Sequence, residues 1–240
     1  MSAVPIAKKQ TKTKPAKVDS SKIVTFLPGP VYDLVQFAFF PLNYMIGWLC
    51  HLQPGESVWN DGANKTAEFK GSGKELQQIA GEIIEQVDIA HNEEDLVRLY
   101  DSLPDVDAEQ DLIGRTWQGR ILRTNRSVLD LAEWLIIRPL KMVGVNWGKR
   151  YRDQYKGDPL LFRFIDRFYV PVAIWGNVGM TNIQWRESST ATMNYDYQPW
   201  KDYFKLLSNE DGKTILLGVW THKDIAGGWF TLTLDEGVKI

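Results

Sequence analysis

The sequence predicts a mainly β (α+β) protein: an antiparallel sheet or barrel with helical decoration, preceded by a helical N-terminal extension. Three observations carry that prediction. After residue 110, short runs of alternating apolar and polar residues recur between turn signals. Before it, apolar residues return at helical rather than strand spacing. Throughout, the aromatic load is high, with ten tryptophans in 240 residues. Indole surface is unfavourable to leave in water, so these side chains fill a core, line a ligand cavity, or do both.

Residues 1–22 form a basic tail. Lys8, Lys9, Lys12, Lys14, Lys17 and Lys22 sit among Ser, Thr, Pro and Ala with almost no large apolar side chains, a composition that predicts disorder. Residues 31–52 are apolar but interrupted by Asp33, Gln36, Pro41 and Asn43. Each interruption is unfavourable in hydrocarbon, so a buried, domain-packing helix leads over an interfacial helix and a true membrane span. The tail and this segment together leave a peripheral membrane contact through residues 1–52 open.

A polar, Gly-rich loop covers Gln53 to Lys74. Leu76, Ile79, Ile83, Val87 and Ala90 then mark one face of an amphipathic helix, and Asn92-Glu93-Glu94 starts a second, carrying Leu96, Leu99 and Tyr100 and ending near Pro104. A helical region thus precedes a β domain. Within that domain, strands are expected at Thr116–Leu122, Thr181–Gln184, Thr190–Tyr197, Thr214–Trp220 and Gly228–Leu234, with a helix over Leu129–Met142 that breaks at Pro139.

Composition excludes several function classes. The formal net charge is -2, and no basic face dominates the folded part, so nothing argues for nucleic acid. One cysteine, Cys50, precludes an internal disulfide and suits a reducing, cytoplasmic compartment. Three scattered histidines with that cysteine give no zinc-ligand spacing, and no metal is expected. No Gly-rich phosphate loop, nucleophile elbow or Cys–His pairing is present, so any chemistry is expected to be cofactor-free acid/base work.

Two strings stand out: Gly114-Arg115-Thr116-Trp117-Gln118-Gly119, and Met193 to Phe204. On a strand, Trp117 and Gly119 point one way while Thr116, Gln118 and Arg120 point the other, the glycines permitting close approach beside the indole. Trp117 then serves either as a structural plug or as a ligand contact. In the second string, Ala191, Met193, Tyr195 and Tyr197 share a face suited to an apolar cavity with phenol hydroxyls for orientation. Asp196 and Asp202 flank the turn through Gln198-Pro199. A carboxylate held in an apolar mouth has a raised pKa and works as a general acid or base. Alternatively, Asp196 caps turn amides and Asp202 opens a short helix toward Phe204 and Leu207.

From about Leu96 onward the chain resembles the GXWXG / DUF4334 family. The resemblance rests on Leu99-Tyr100-Asp101-Ser102-Leu103-Pro104, the Gly114–Arg120 string, and Asn146-Trp147-Gly148-Lys149-Arg150-Tyr151. It continues through Asp158-Pro159-Leu160-Leu161-Phe162, Arg186, Ala191 to Pro199, Asp202 and Phe204, Leu217-Gly218 and Trp229 to Leu234. It implies a compact, lipocalin-like antiparallel β-barrel over residues 96–240, leaves residues 23–95 as a helical N-terminal extension, and implies no established activity. It also raises Lys149 above an ordinary surface lysine. Lys149 or Arg186 is expected to pair with Asp196 or to bind a carboxylate or enolate on a ligand.

The leading expectation is a cofactor-independent isomerase, cyclase or dehydratase acting on a small hydrophobic molecule. Asp196 is the acid/base, with Asp202 as a further candidate, and Lys149 or Arg186 stabilises developing negative charge. Tyr195, Tyr197, Met193, Trp147, Trp117 and Gln198 hold the ligand. The alternatives are a non-catalytic carrier of the same ligand, or a membrane-associated interaction protein.

Overall fold

The computed structural model describes residues 34, 38, 41, 44–45, 73–124, 133–164, 168–172, 175–186, 188–210, 212–223 and 225–236. The basic tail and the 53–72 loop lie outside these residues. So does most of the 31–52 segment, whose described positions Leu34, Ala38, Pro41, Tyr44 and Met45 are helical and exposed. No helix among the described residues is long and apolar enough to cross a membrane.

Helix α1 spans Gly73–Ile84 and α2 spans Glu93–Ser102. The first is shorter than its apolar spacing predicts. Gln86 takes a left-handed conformation (φ 60°), which ends the helix and leaves Val87 and Ile89 exposed. Helix α2 begins where expected: the Asn92 side chain accepts from the Glu94 N–H at 2.9 Å. It ends as Leu103 turns extended before Pro104, since the proline ring disfavours helical backbone in the residue preceding it.

The strands are β1 Arg115–Leu122, β2 Val145–Asp153, β3 Lys156–Phe164, β4 Phe168–Pro171, β5 Val178–Trp185, β6 Ser188–Tyr195, β7 Trp200–Glu210, β8 Lys213–His222 and β9 Ile225–Leu234. They form one nine-stranded sheet in the order β4-β3-β2-β1-β9-β8-β7-β6-β5, antiparallel at every pairing. All five predicted strands are present, though β6 stops at Tyr195 and leaves Asp196 and Tyr197 in a turn, while β2, β3, β4 and β7 were not anticipated. Asp202 therefore lies inside a strand and does not open a helix. Pro139 is no breaker either. A π-helical turn, Glu133–Ile137, leads directly into α3, Arg138–Met142, and Pro139 occupies its first turn, where a missing N–H is tolerated.

Strand alternation sorts the side chains onto two faces. Leu122, Tyr203, Leu217, Val219 and Trp229 pack beneath α1 and α2 with Leu96, Leu99 and Tyr100. Trp117, Tyr151, Met180, Met193, Phe204, Phe230 and Leu232 belong to the opposite, concave face. The sheet curls so far that the β2–β3 hairpin reaches β5: Met180 N–H donates to the Gln154 carbonyl at 2.8 Å, and Gly157 N–H to Asn177 Oδ1 at 3.3 Å. No strand ladder joins β4 to β5 among the described residues, so the closed barrel expected from the sequence is not completed by strand pairing.

Candidate functional site

The concave face encloses an ion pair. On β2, Trp147, Lys149 and Tyr151 alternate onto this face, and on β7 Asp202 and Phe204 do the same. Across the interior, Lys149 Nζ lies 2.9 Å from Asp202 Oδ2, with side-chain exposures of 5% and 1%. The ammonium also donates to the Pro159 carbonyl at 3.1 Å and to the Tyr195 hydroxyl at 3.3 Å. It stands 5.4 Å from the Phe230 ring centroid and 5.8 Å from that of Tyr195, within reach of both ring quadrupoles.

Pro159 belongs to a strand flanked on both sides, where proline is ordinarily excluded. The ladder explains it. Gly148 pairs with Leu161 and Arg150 with Asp158, so β3 carries one extra residue there, a bulge at Pro159-Leu160. The bulge accommodates the missing N–H, and the Pro159 carbonyl accepts from Lys149. On the other face of the same hairpin, Arg150 and Arg152 hold the fully buried Asp158, each with a 2.7 Å contact. The Lys149-Arg150-Tyr151-Arg152 run is thus two alternating pairs with separate partners.

Several polar atoms of this interior have no hydrogen-bond partner among the described residues. They are Asp202 Oδ1, the Tyr151 hydroxyl, and the indole N–H groups of Trp117 and Trp147. Such buried orphans are uncommon in folded proteins and point to a strained or functional region. Burial raises the Asp202 pKa, opposed by Lys149 and by the Tyr195 hydroxyl. Burial likewise raises both phenols well above their ordinary value, with the nearby Asp202 charge adding to the shift. The site therefore combines a carboxylate with one open oxygen and two hydroxyls that stay protonated.

Aromatic rings lead outward from it. Tyr195 meets Trp200 edge-on at 5.5 Å, and Trp200 meets Trp220 at 5.5 Å and Trp175 at 6.1 Å. These three tryptophans are only partly buried. They carry the aromatic packing from Tyr195 toward the surface.

The structure brings together Lys149, Asp202, Tyr195, Met193, Trp147 and Trp117. Trp117 is the register partner of Lys149, and Met193 that of Asp202. Gly119 of the first motif and Gly148 on β2 serve this packing. A Cβ on Gly119 would lie 2.3 Å from the Trp147 ring, and one on Gly148 would lie 2.2 Å from the Trp117 carbonyl oxygen. The structure corrects the expected ion pairing: Lys149 takes Asp202, and neither it nor Arg186 is paired with Asp196.

Asp196 lies in the exposed turn after β6, where its carboxylate accepts from Asn177 Nδ2 at 3.1 Å. Partial burial still raises its pKa, opposed by that bond. Tyr197 is exposed in the same turn and Gln198 is buried. Arg186 sits at the far end of β6 from Tyr195, making a two-pronged contact with Asp101 at 2.8 and 2.6 Å. Sequence reasoning missed Tyr151, Pro159, Trp175, Trp200, Trp220 and Phe230. The period-2 spacing of Trp147, Lys149 and Tyr151 was the available signal for β2. No grouping of three or more His, Cys, Asp or Glu side chains able to hold a metal occurs among the described residues.

No family model matches this chain. No curated protein matches it either. A crystal structure of a protein from Thermomonospora curvata is similar, with 24% sequence identity and a TM-score of 0.52 over 68% of this chain and 99% of the other. The likeness is one of fold.

Proposed function

We propose that residues 96–240 form a GXWXG / DUF4334-like, barrel-like domain that binds a small hydrophobic molecule in its concave interior and moves a proton on it without a cofactor. The observation that supports this reading is the buried Lys149–Asp202 pair, with an unpartnered carboxylate oxygen beside two protonated phenols. Asp202, rather than the exposed Asp196, is the acid/base. Its Oδ1 takes a proton from carbon next to a carbonyl, and the Tyr195 and Tyr151 hydroxyls donate to the oxygen where negative charge develops. Returning the proton to a different carbon yields an isomer; handing it to a neighbouring hydroxyl, which leaves as water as its C–O bond breaks, yields a dehydrated product. Lys149 fixes the carboxylate and stabilises charge. The ligand enters by parting Trp175, Trp200 and Trp220, which supply apolar contact.

Native mass spectrometry of the protein from its source, followed by extraction, supplies the ligand for the test. Tyr195→Phe preserves the ring and removes the hydroxyl. Turnover of the extracted molecule is expected to fall about 10²–10³-fold, the usual effect of losing one such donor, with the fold retained at a somewhat lower Tm, since the buried ammonium gives up one acceptor. Undiminished turnover in Tyr195→Phe would refute the assignment. Binding with no turnover in the unmodified protein would leave the carrier reading, which the mutual satisfaction of Lys149 and Asp202 Oδ2 favours.

A further inference from the structure

The link from β1 to β2 carries an exposed apolar surface. It includes the π-helical turn Glu133–Ile137 and α3, Arg138–Met142. Trp134, Leu135, Met142 and Val143 are 65%, 54%, 84% and 72% exposed. Exposed apolar residues are ordinary when scattered, but four large ones within one short element form a patch, and patches mark contact surfaces. The element itself is fixed to the sheet: Ile137 is buried and belongs to the concave core. Trp134, Arg138 and Met142 follow at four-residue steps, so they run along one side of the segment, opposite its anchored side.

The charges identify what covers this side. Glu133, the segment's one carboxylate between residues 133 and 143, is turned inward and holds Lys141 at 3.2 Å, in a small charged cavity that Arg120 also lines. Arg138 is exposed and has no carboxylate partner among the described residues. The outward side is thus apolar with a cation and no acid. The rest of the chain repeats that sign, since residues 1–22 carry six lysines against Asp19 alone. A second copy of the chain fits poorly: a standard protein interface uses about 20–30 residues a side, more than this stretch offers. Nor are Leu34, Tyr44 and Met45 of the apolar 31–52 stretch seated on it, because they are exposed themselves. A bilayer surface needs no matching pocket, and tryptophan, leucine and basic residues together are the composition of helices that lie in its interface.

We propose that the 133–143 segment docks the protein on an anionic lipid surface, with Trp134, Leu135, Met142 and Val143 entering the boundary between headgroups and acyl chains and Arg138 meeting lipid phosphates. A short apolar wedge holds a protein only weakly by itself, and so does a basic tail. The two act together, the lysines raising the concentration at the surface and the wedge fixing the orientation. The contact is peripheral and requires nothing of the interior chemistry.

Sedimentation of the full chain with phosphatidylcholine vesicles containing phosphatidylserine, at about 0.1 M salt where the Debye length is ~10 Å, tests the contact. The unmodified protein is expected to pellet with the vesicles. Leu135→Ser/Met142→Ser alters exposed side chains only and should keep the parent's Tm while lowering partitioning about tenfold or more, since two apolar side chains no longer leave water. Should that pair disturb folding, Met142→Ser alone, at the most exposed of the four positions, reads the same loss at a smaller size. Arg138→Gln should weaken partitioning about fivefold and lose that effect in vesicles of phosphatidylcholine alone. Absence of capture would overturn the proposal. So would capture undiminished in Leu135→Ser/Met142→Ser, which would leave the lysine tail as the whole attraction. A dimer in vesicle-free sedimentation equilibrium that becomes monomeric in that variant would also overturn it, by showing that a second copy covers the patch.

Discussion

Asp202 and Lys149 show what a buried charge requires. Removing both from water is strongly unfavourable, and their attraction at 2.9 Å offsets that only because Pro159 and Tyr195 take further ammonium hydrogens. Deleting one partner is therefore worse than deleting both. Asp202→Asn leaves an uncompensated ammonium and is expected to destabilise the fold by about 3–5 kcal/mol, whereas the double variant Lys149→Met/Asp202→Leu should be near neutral or stabilising. Urea denaturation of the three proteins decides it: a double variant as unstable as Asp202→Asn would mean that the pair contributes net stability. Much of this site could be read from residue types. Tyr195 and Met193 follow from alternation through β6, whereas Asp202 stood out only by its place after the Gln198-Pro199 turn. The partner of Lys149 could not, because that contact crosses the interior between strands distant in sequence.

At the scale of elements, β1 and β2 are held together by missing side chains. Gly119 leaves room for the Trp147 indole, and Gly148 lets the Trp117 backbone approach. Gly119→Ala should destabilise by about 1–3 kcal/mol, as a methyl group pressed into an enclosed indole forces the two strands to shift. A Tm unchanged from the parent would show that Trp147 can move aside. The Gly-x-Trp-x-Gly spacing was visible in the sequence, but its reason was not, because Trp147 arrives from the neighbouring strand. β2 and β3 escaped notice for a related cause. Their alternation places Lys149 inward and Arg150 outward, and Pro159 interrupts β3, so neither reads as apolar against polar. Helix α1 erred in the other direction. Val87 and Ala90 continue its period, yet Gln86 reverses the backbone and Ala90 bridges to Arg123 beside β1.

For the whole molecule, the enclosed phenols set a limit on alkaline stability. Burial raises Tyr100, Tyr151 and Tyr195 well above the ordinary tyrosine value near 10. Each is neutral in the folded chain at a pH where the unfolded chain ionises it. Their contribution is fully present below pH ~10 and declines above it by about 1.4 kcal/mol per pH unit for each phenol. Folded protein should therefore show these three tyrosines silent in a spectrophotometric titration at 295 nm until unfolding begins, and Tyr151→Phe should shallow the alkaline loss of stability. Titration of all nine tyrosines without unfolding would contradict the enclosure. The sequence by itself determined the β character, the helical pair before it, the inward face of β6 and the exclusion of zinc-ligand spacing, because each depends on residue types at local spacing. Only the tertiary structure decided the pairing of β1 with β9, the open ladder between β4 and β5, the union of Lys149 with Asp202 and the charged cavity at Arg120. Those depend on how far the sheet curls, a consequence of packing between segments that no local period encodes.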